Sequence, residues 1–394
     1  RRHTRYGTVT GVQTCALPIS GGSVDAPAAM PRLIGRCVAA TAACVGLAAA
    51  ALPAAEACTR VLYTAADQTV IAGRSMDWHK DNSPSLWAMP RGMARDGATG
   101  PGSIRWTSRY GSLVVSMYNI ATVDGINEKG LVANTLYLAE SNYGSPQGKP
   151  TLSIAAWAQY VLDNFATVQE AVAQLRREPF RIVAPVLPDG EPAQGHLSIS
   201  DPSGDSAIFE YVNGKLVIHH GKAYTVMTNS PTYDQQLALN TYWQEIGGSV
   251  FLPGTSRAAD RFARASYLVN AIPKAKDPDL ITAVPQQSFV FQAMASVLGV
   301  MRAVSVPLGV SDPKQPNIAS TLWRTTYDQS DRILIFDSAT SPTAFWVKVD
   351  GLNLNAGQPV RRLDASGGRT YSGDATQQFQ PAKPFAFLPG IPKR

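Results

Sequence analysis

The amino-acid sequence predicts an α+β fold in which helices pack on antiparallel β-sheets. Runs rich in β-branched and aromatic residues follow one another with turn-forming residues between them, as in antiparallel sheets. Segments with apolar residues at helical spacing form groups of their own instead of alternating singly with strands, as they would in parallel α/β folds. The 394-residue chain is 45% hydrophobic and only 16% charged, so it can bury a substantial core.

The predicted strands begin with a hairpin directly after Cys58. The stretch CTRVLYTAADQTVIAGRSMDW contains two β-rich runs around a turn at residues 66–68. A second hairpin is predicted in GSLVVSMYNIATVDGINEKGLVANTLYL, where two apolar runs flank a glycine-containing turn at residues 127–130. Both segments are expected to lie in antiparallel sheets.

Helices and a second group of strands are predicted to follow. Thr167 and Glu170 form a capping-box pattern at the start of one helix, and Asn213-Gly214 predicts a two-residue hairpin turn. The predicted helices lie in LSIAAWAQYVLDNF, VQEAVAQLRRE, DQQLALNTYWQEI, RAADRFARASYLVNAI and QSFVFQAMASVLGVM. The later strands lie in GHLSISDP, SAIFEYVNGKLVIHH, AYTVMTN, ASTLWRTTYDQ, RILIFD and AFWVKVD. Residues 58–394 are predicted to form one domain, whose Gly-, Pro- and Gln-rich tail from about Leu352 wraps the surface.

The residues before Cys58 predict export. Residues 30–57 contain two arginines, an apolar run of 16 residues and the A-x-A pattern of residues 55–57, which together are typical of a secretory signal peptide. A retained N-terminal anchor is the alternative, although the run is short for a membrane span. Residues 1–29 fit neither a signal nor a domain and are interpreted as an adaptor-like leader of non-native origin. We expect cleavage by signal peptidase and a location in the periplasm or outside the cell.

The charge distribution argues against a nucleic-acid partner. The formal net charge is +6, but five of the 35 basic and two of the 29 acidic residues precede Cys58, which leaves about +3 for the remainder. The remaining Lys and Arg residues are scattered, with no basic tract. No dinucleotide-binding, phosphate-loop or zinc-hydrolase motif occurs.

Cys58 is the only cysteine after the predicted cleavage site and is the first candidate for catalysis. Cleavage after Ala57 would give it a free α-amine, which titrates near ~7.7–8.0 when unperturbed, so nucleophile and base would share one residue. Arg74 and Asp77 lie on the second strand of the same hairpin. A guanidinium can stabilise a thiolate and a carboxylate can hold an α-ammonium. The alternative for these two residues is an ordinary surface ion pair.

Five sequence blocks, in order, resemble the choloylglycine hydrolase and penicillin V acylase family, the cysteine branch of the N-terminal nucleophile hydrolases. The blocks are CTR, GRSMDW, DGINEKGLVANTLYL, VMTNSPTYDQQL and LPGTSRAADRFARASY, and the resemblance extends from Cys58 to about Asp350. It implies a four-layer αββα sandwich of two antiparallel sheets, hydrolysis of a linear amide through a thioester, no metal or organic cofactor, and a homotetramer.

The resemblance also implies a role for each matched residue. Cys58 corresponds to the nucleophile, Arg74 to its electrostatic neighbour, Asp77 to the group that binds the α-amine, Asn229 to the oxyanion side-chain donor, Tyr137 to the residue whose backbone N–H is the other donor, and Arg261 to the arginine that completes the polar network. Taken singly, Asn229 could be a turn residue, Arg261 a helix-surface charge and Tyr137 a core aromatic. Because one oxyanion donor is typically worth about 2.7–4 kcal/mol, the combination is chemically coherent.

The substrate is left open between penicillin V, conjugated bile salts and N-acyl-homoserine lactones. The predicted export, the Trp of MDW and the block ADRFARAS resemble the Gram-negative branch, and Tyr137 favours the penicillin V type. Trp78 and Trp87 either line an apolar acyl pocket or belong to the core. The alternative from another class is an exported lipoprotein or binding module with a lipid on Cys58, for which Ala55 and Glu56 fit poorly.

Overall fold

The computed structural model describes residues 58–188, 190, 192–248, 250–310 and 319–390. The predicted leader at residues 1–29 and the predicted signal peptide at residues 30–57 lie outside the described residues. Within the described part of the chain, no helix combines the length and the apolar character needed to cross a membrane.

Twenty strands and five α-helices make up the described structure. The strands are β1 (Thr59–Thr64), β2 (Val70–Trp78), β3 (Ser85–Met89), β4 (Ala94–Asp96), β5 (Arg105–Thr107), β6 (Ser112–Met117), β7 (Ala121–Asn127), β8 (Val132–Leu136), β9 (Thr151–Ser153), β10 (Arg181–Val183), β11 (His196–Ser200), β12 (Ser206–Val212), β13 (Lys215–His220), β14 (Val226–Met227), β15 (Ser320–Asp328), β16 (Ile333–Ser338), β17 (Phe345–Lys348), β18 (Arg361–Asp364), β19 (Gly373–Asp374) and β20 (Gln380–Pro381). The helices are α1 (Trp157–Asn164), α2 (Val168–Leu175), α3 (Tyr233–Ile246), α4 (Ala258–Ala271) and α5 (Phe289–Ala303).

Two large sheets form the centre of the molecule. The first has the strand order β14-β1-β2-β15-β16-β17-β19, and the second has the order β13-β12-β11-β8-β7-β6-β3-β18-β20. Neighbouring strands in both sheets are antiparallel, apart from the short parallel pair β17 and β19 at one edge. The predicted α+β class with two antiparallel sheets is therefore confirmed.

The sheets face each other between two layers of helices. Helices α4 and α5 pack on the seven-stranded sheet, whereas α1 and α2 pack on the nine-stranded sheet. Across the interface, the hydroxyl of Thr325 donates to Asp124 at 2.5 Å and Arg74 donates to the carbonyl of Thr135 at 3.2 Å. Helix α5 approaches β2 closely at Gly73, because a Cβ there would lie 2.8 Å from Val297 Cγ1. The layers thus follow the order α, β, β, α.

One predicted hairpin is a three-stranded meander. The segment GSLVVSMYNIATVDGI, which the sequence predicts to be one strand, contains both β6 and β7. These two strands are joined by a tight turn at Tyr118 and Asn119. Both turn residues have positive φ angles, of 53° and 52°. Such angles are usually signalled by glycine, which this turn lacks. The predicted turn at residues 127–130 is present, and it joins β7 to β8.

Other local predictions agree with the structure. The first hairpin pairs β1 with β2, and Asn213-Gly214 joins β12 to β13 with φ angles of 51° and 74°. The Thr167 side chain accepts a hydrogen bond from the Glu170 N–H at the start of α2. The tail from about Leu352 differs from the prediction that it wraps the surface, because it adds β18 and β20 to the nine-stranded sheet and β19 to the other.

We expect Gly130→Ala to destabilise the protein by about 3 kcal/mol or more, because Gly130 has a φ of 83° and a Cβ there would lie 2.2 Å from the carbonyl oxygen of Gln329. Gly148→Ala is the matched control, since Gly148 has a φ of 78° but nothing within 4 Å of its Cβ position. The control should cost only about 1–2 kcal/mol. Urea unfolding of both variants measures the difference, and equal losses would contradict the steric argument.

Candidate active site

Cys58 lies directly before β1 and is 2% exposed. The pairing of Thr59 with Ser75 brings the end of β2 beside it. The Cys58 thiol donates to the backbone carbonyl of Asp77 at 3.8 Å, and Nη2 of Arg74 lies 3.9 Å from Cys58 Sγ. The hairpin therefore brings together the three residues that the sequence singled out within it.

Arg74 places a buried positive charge next to the thiol. Its Nη2 also contacts Met76 Sδ at 3.5 Å and donates to the carbonyl of Thr135, while the guanidinium stacks on the Trp323 ring at 4.5 Å. Among the residues that the structure describes, no acceptor lies within hydrogen-bond reach of its Nε or Nη1. A cation with so few partners in a buried setting favours the thiolate form of a neighbouring cysteine.

Asp77 is a buried carboxylate with little local compensation. Neither of its oxygens accepts a hydrogen bond of standard geometry from the described part of the chain. Burial raises the pKa of Asp77 to about 6, and the Arg261 charge, the Thr321 hydroxyl, the Arg74 charge and the Ser75 hydroxyl oppose this effect only in part. The carboxylate can therefore bind a cation or accept a hydrogen bond.

Arg261 of α4 links the nucleophile to Asn229. Its Nη1 donates to the Cys58 carbonyl and to the Thr59 hydroxyl, both at 2.6 Å, and its Nη2 donates to Asn229 Oδ1 at 2.8 Å. Nε donates to the carbonyl of Ser256 at 2.9 Å. Arg261 is 1% exposed, so it is not a helix-surface charge. Burial lowers its pKa, and the charges of Asp77 and Cys58 counteract this lowering.

The Asn229 side chain has one fixed orientation. Because Oδ1 accepts from Arg261, Nδ2 must be the atom that faces Tyr137, and it donates to the Tyr137 carbonyl at 2.8 Å. The backbone carbonyl of Asn229 accepts from Gln236 Nε2 at 3.1 Å. Tyr137 follows β8 directly and lines the same cleft as Cys58. The Asn229 amide and the end of β8 therefore lie close together, and Arg261 links Asn229 to the backbone of Cys58.

A cleft opens at Cys58, with a volume of about 570 Å³ that includes the adjoining solvent. Its lining is mainly apolar: Met76, Trp78, Met117, Ala121, Val123, Leu136, Ile154, Ala155, Leu187, Ala193 and Leu388 accompany Cys58, Arg74, Thr122, Thr135, Tyr137 and Gln194. A mainly apolar cleft with a few polar groups at one point is typical of a small-molecule site. This composition suits an apolar acyl group whose carbonyl meets the thiol.

The two candidate tryptophans occupy different environments. Trp78 lines the cleft, and its Nε1 donates to the Tyr118 hydroxyl at 3.2 Å. Trp87 is outside the set of described residues that line the cleft. Its Nε1 donates to Ser116 Oγ and Asn119 Oδ1, and its ring packs edge-on against Phe385 at 5.2 Å. The predicted pocket role therefore has geometric support for Trp78, whereas Trp87 packs in the core.

Sequence reasoning missed a second buried carboxylate, Asp124. Its Oδ1 accepts from Asn134 Nδ2 and its Oδ2 from the Thr325 hydroxyl, both at 2.5 Å. Thr325 is the cross-strand neighbour of Arg74, and burial raises the pKa of Asp124 while the Arg74 charge opposes the increase. An aspartate inside the apolar run TVDGI was the available sequence signal.

A buried histidine supports the segment before Asn229. His196 Nε2 lies 2.8 Å from the carbonyl of Thr228, and Nδ1 lies 2.8 Å from Glu210 Oε1. Both oxygens of Glu210 accept from the backbone N–H of Tyr233. No local pattern distinguished His196 or Glu210, because their pairing depends on strands β11 and β12 lying side by side.

Known proteins share this sequence and architecture. A penicillin V acylase from Pectobacterium atrosepticum is 48% identical over 351 residues, which cover 84% of this chain and 92% of that protein. The solved structure of a penicillin V acylase from Agrobacterium tumefaciens is 51% identical, with a TM-score of 0.76, and the match covers 84% of this chain and 99% of that one.

A more distant relative shares the fold. A conjugated bile acid hydrolase from Clostridium perfringens matches with a TM-score of 0.64 at 19% identity, covering 80% of this chain and 98% of the other. These neighbours have the N-terminal nucleophile hydrolase fold, so that prediction is confirmed. Residues 58–362 match the family of linear amide C–N hydrolases named for choloylglycine hydrolase. This chain therefore belongs to the choloylglycine hydrolase family of linear amide C–N hydrolases, in which an N-terminal cysteine is the nucleophile.

Proposed function

We propose that this enzyme hydrolyses the side-chain amide of penicillin V, with Cys58 as the nucleophile. The observation that carries the proposal is the position of the Cys58 thiol, which lines an apolar cleft. The thiol lies 3.9 Å from Nη2 of Arg74 and 3.8 Å from the backbone carbonyl of Asp77, whose side chain is buried. The two penicillin V acylases that are 48% and 51% identical support this choice of substrate. Conjugated bile salts and N-acyl-homoserine lactones are the alternative substrates.

Maturation is proposed to create the catalyst. Signal peptidase would cut after Ala57, export would deliver the protein to the periplasm or beyond the cell, and Cys58 would gain a free α-amine. That amine would be a suitable partner for Asp77, because burial keeps the pKa of this carboxyl raised despite the groups that oppose the increase. Residues 58–394 would form the mature single domain, and assembly into a homotetramer is part of the proposal.

Acylation would begin as the α-amine takes the proton of the Cys58 thiol and the sulfur attacks the amide carbonyl carbon. The developing oxyanion would be held by Nδ2 of Asn229 and by the backbone N–H of Tyr137. Arg261 keeps the Asn229 amide oriented through its bond to Oδ1. The C–N bond would break as the α-amine passes a proton to the leaving nitrogen, which leaves a thioester on Cys58.

Deacylation would use the same groups in reverse order. The α-amine, now neutral, would take a proton from water as the water oxygen attacks the thioester carbonyl. Asn229 and Tyr137 would again hold the oxyanion, and collapse would release the carboxylic acid and restore the thiol. The apolar lining, including Met76 and Trp78, would hold the acyl group throughout.

Cys58→Ser should lower kcat/KM for penicillin V by about three orders of magnitude or more, because the alcohol is far harder to ionise than the thiol.

Mass spectrometry of the purified wild-type protein, quenched during turnover, should show a chain that starts at Cys58 and carries the acyl group. An N-terminus elsewhere, a lipid adduct on Cys58 or near-native turnover of the serine variant would contradict the mechanism.

Asn229→Ala should reduce kcat by about 10²–10³ with a smaller change in KM, since it removes a donor that acts mainly in the transition state. Asn240→Ala is the matched control, because Asn240 is also buried, at 7% exposed against 3% for Asn229, but lies on α3 and lines a different cavity. Steady-state kinetics at a temperature where both variants are folded provides the test. Equal effects of the two substitutions would remove Asn229 from the oxyanion site.

Asp77→Asn should stabilise the unprocessed chain at neutral pH. The pKa of Asp77 is raised to about 6, so the stability gained from protonating it is complete below the unfolded pKa of 3.8 and is lost as the pH rises through about 6. Above pH 7 the variant should exceed the wild type by about 2–3 kcal/mol in urea unfolding, and the difference should shrink as the pH falls from about 6 to about 4, below which little of it should remain.

Asp328→Asn is the control for this effect, because burial raises the pKa of Asp328 to about 6 at a distant strand end. It should show the same pH trend in the unprocessed and in the mature protein. For Asp77 the gain should shrink in the mature protein, where the α-ammonium compensates the carboxylate. An Asp77→Asn gain that is the same in both forms would refute the pairing of Asp77 with the α-amine.

A further inference from the structure

The C-terminal segment returns to the cleft that contains Cys58. Leu388 lines that cleft although it lies 330 positions after the nucleophile in the sequence. Its backbone N–H donates to the carbonyl of Ile120 at 2.8 Å, and its carbonyl accepts from the Ser153 hydroxyl at 2.7 Å. Both partners directly precede residues of the cleft lining, namely Ala121 and Ile154. Leu388 is therefore fixed to the cleft wall on both sides of its backbone.

Residues around Leu388 fix the segment further. The N–H of Gly390 donates to the carbonyl of Ala98 at 2.9 Å, and a Cβ at Gly390 would lie 2.8 Å from Val183 Cγ1. The buried Phe387 ring lies 5.9 Å from the Arg95 guanidinium carbon. Leu388 is thus part of a well-anchored segment and cannot withdraw from the cleft without breaking these contacts.

We propose that Leu388 is a specificity-determining residue that limits the size of the acyl group. This inference rests on the proposed function, because it assigns the apolar cleft to the acyl part of the amide. The hydrogen-bond partners of Leu388 border the apolar lining and not the polar cluster of Cys58, Arg74 and Arg261. The side chain can therefore alter the space for the acyl group without altering the groups that perform the chemistry.

The size of the expected effect follows from the energetics of apolar pockets. One methylene group gained or lost in such a pocket changes the discrimination between substrates by roughly 10–200-fold. Leu388→Ala removes three carbon atoms from the wall, which should favour longer acyl chains. Leu388→Trp adds bulk at a fixed backbone position, which should exclude them.

The test uses a series of amides with one leaving amine, 4-nitroaniline, and the acyl groups butanoyl, phenoxyacetyl, octanoyl and decanoyl. A common leaving group keeps the chemical step similar, so ratios of kcat/KM report the acyl cleft. Leu388→Ala should raise the decanoyl to butanoyl ratio by about tenfold or more, and Leu388→Trp should lower it by a similar factor. Leu388→Met, which conserves volume, should change the ratio little.

Ala386→Trp is the matched control, since Ala386 is exposed, lies two residues away and is outside the cleft lining. It should leave the ratio within twofold of the wild type. If the wild type hydrolyses the series but the Leu388 variants behave like the Ala386 control, this inference fails and the proposed function stands. If the wild type hydrolyses none of the amides and no penicillin V, the proposed function fails and this inference fails with it.

Discussion

The burial of charge beside Cys58 is the constraint on which the rest of the site depends. Arg74, Asp77 and Arg261 are each no more than 1% exposed. Taking an ion out of water costs several kcal/mol, and a mobile side chain would escape to solvent. These side chains stay in place because the two sheets enclose the site while α4 holds Arg261 from the outside. Layered packing thus gives the thiol a dry environment in which a single neighbouring charge acts with little screening.

Arg261 fixes the geometry of the buried site. Its guanidinium donates to the loop before α4, to the backbone of the nucleophile and to the amide of Asn229, so one side chain fixes the positions of the three groups relative to one another. Donors that are already oriented need no rearrangement when charge develops on the substrate, which is the main source of their catalytic effect. The pair of His196 and Glu210 supports the residue before Asn229, through a contact of His196 with the Thr228 carbonyl.

Local patterns in the sequence accounted for the hairpin of β1 and β2, the Asn213-Gly214 turn, the capped start of α2 and the positions of the long helices. They did not predict the turn at Tyr118 and Asn119, because its two positive φ angles occur without the glycine that usually marks such a turn. Asp124 and Leu388 were missed for another reason. Each reaches the site through contacts between segments far apart in the sequence, and such contacts leave no trace in local periodicity.

The bridge at Asp124 also constrains how this sequence can change over evolutionary time. The Asp124 carboxylate accepts hydrogen bonds from the amide of Asn134 in one sheet and from the hydroxyl of Thr325 in the other. Thr325 lies 201 positions after Asp124 in the sequence. Replacing the aspartate alone would leave two buried polar groups without a hydrogen-bond partner. This costs more stability than replacing all three residues together by apolar ones. Related sequences should therefore either keep all three residues or replace them together, so that substitutions at this point in one sheet depend on substitutions in the other.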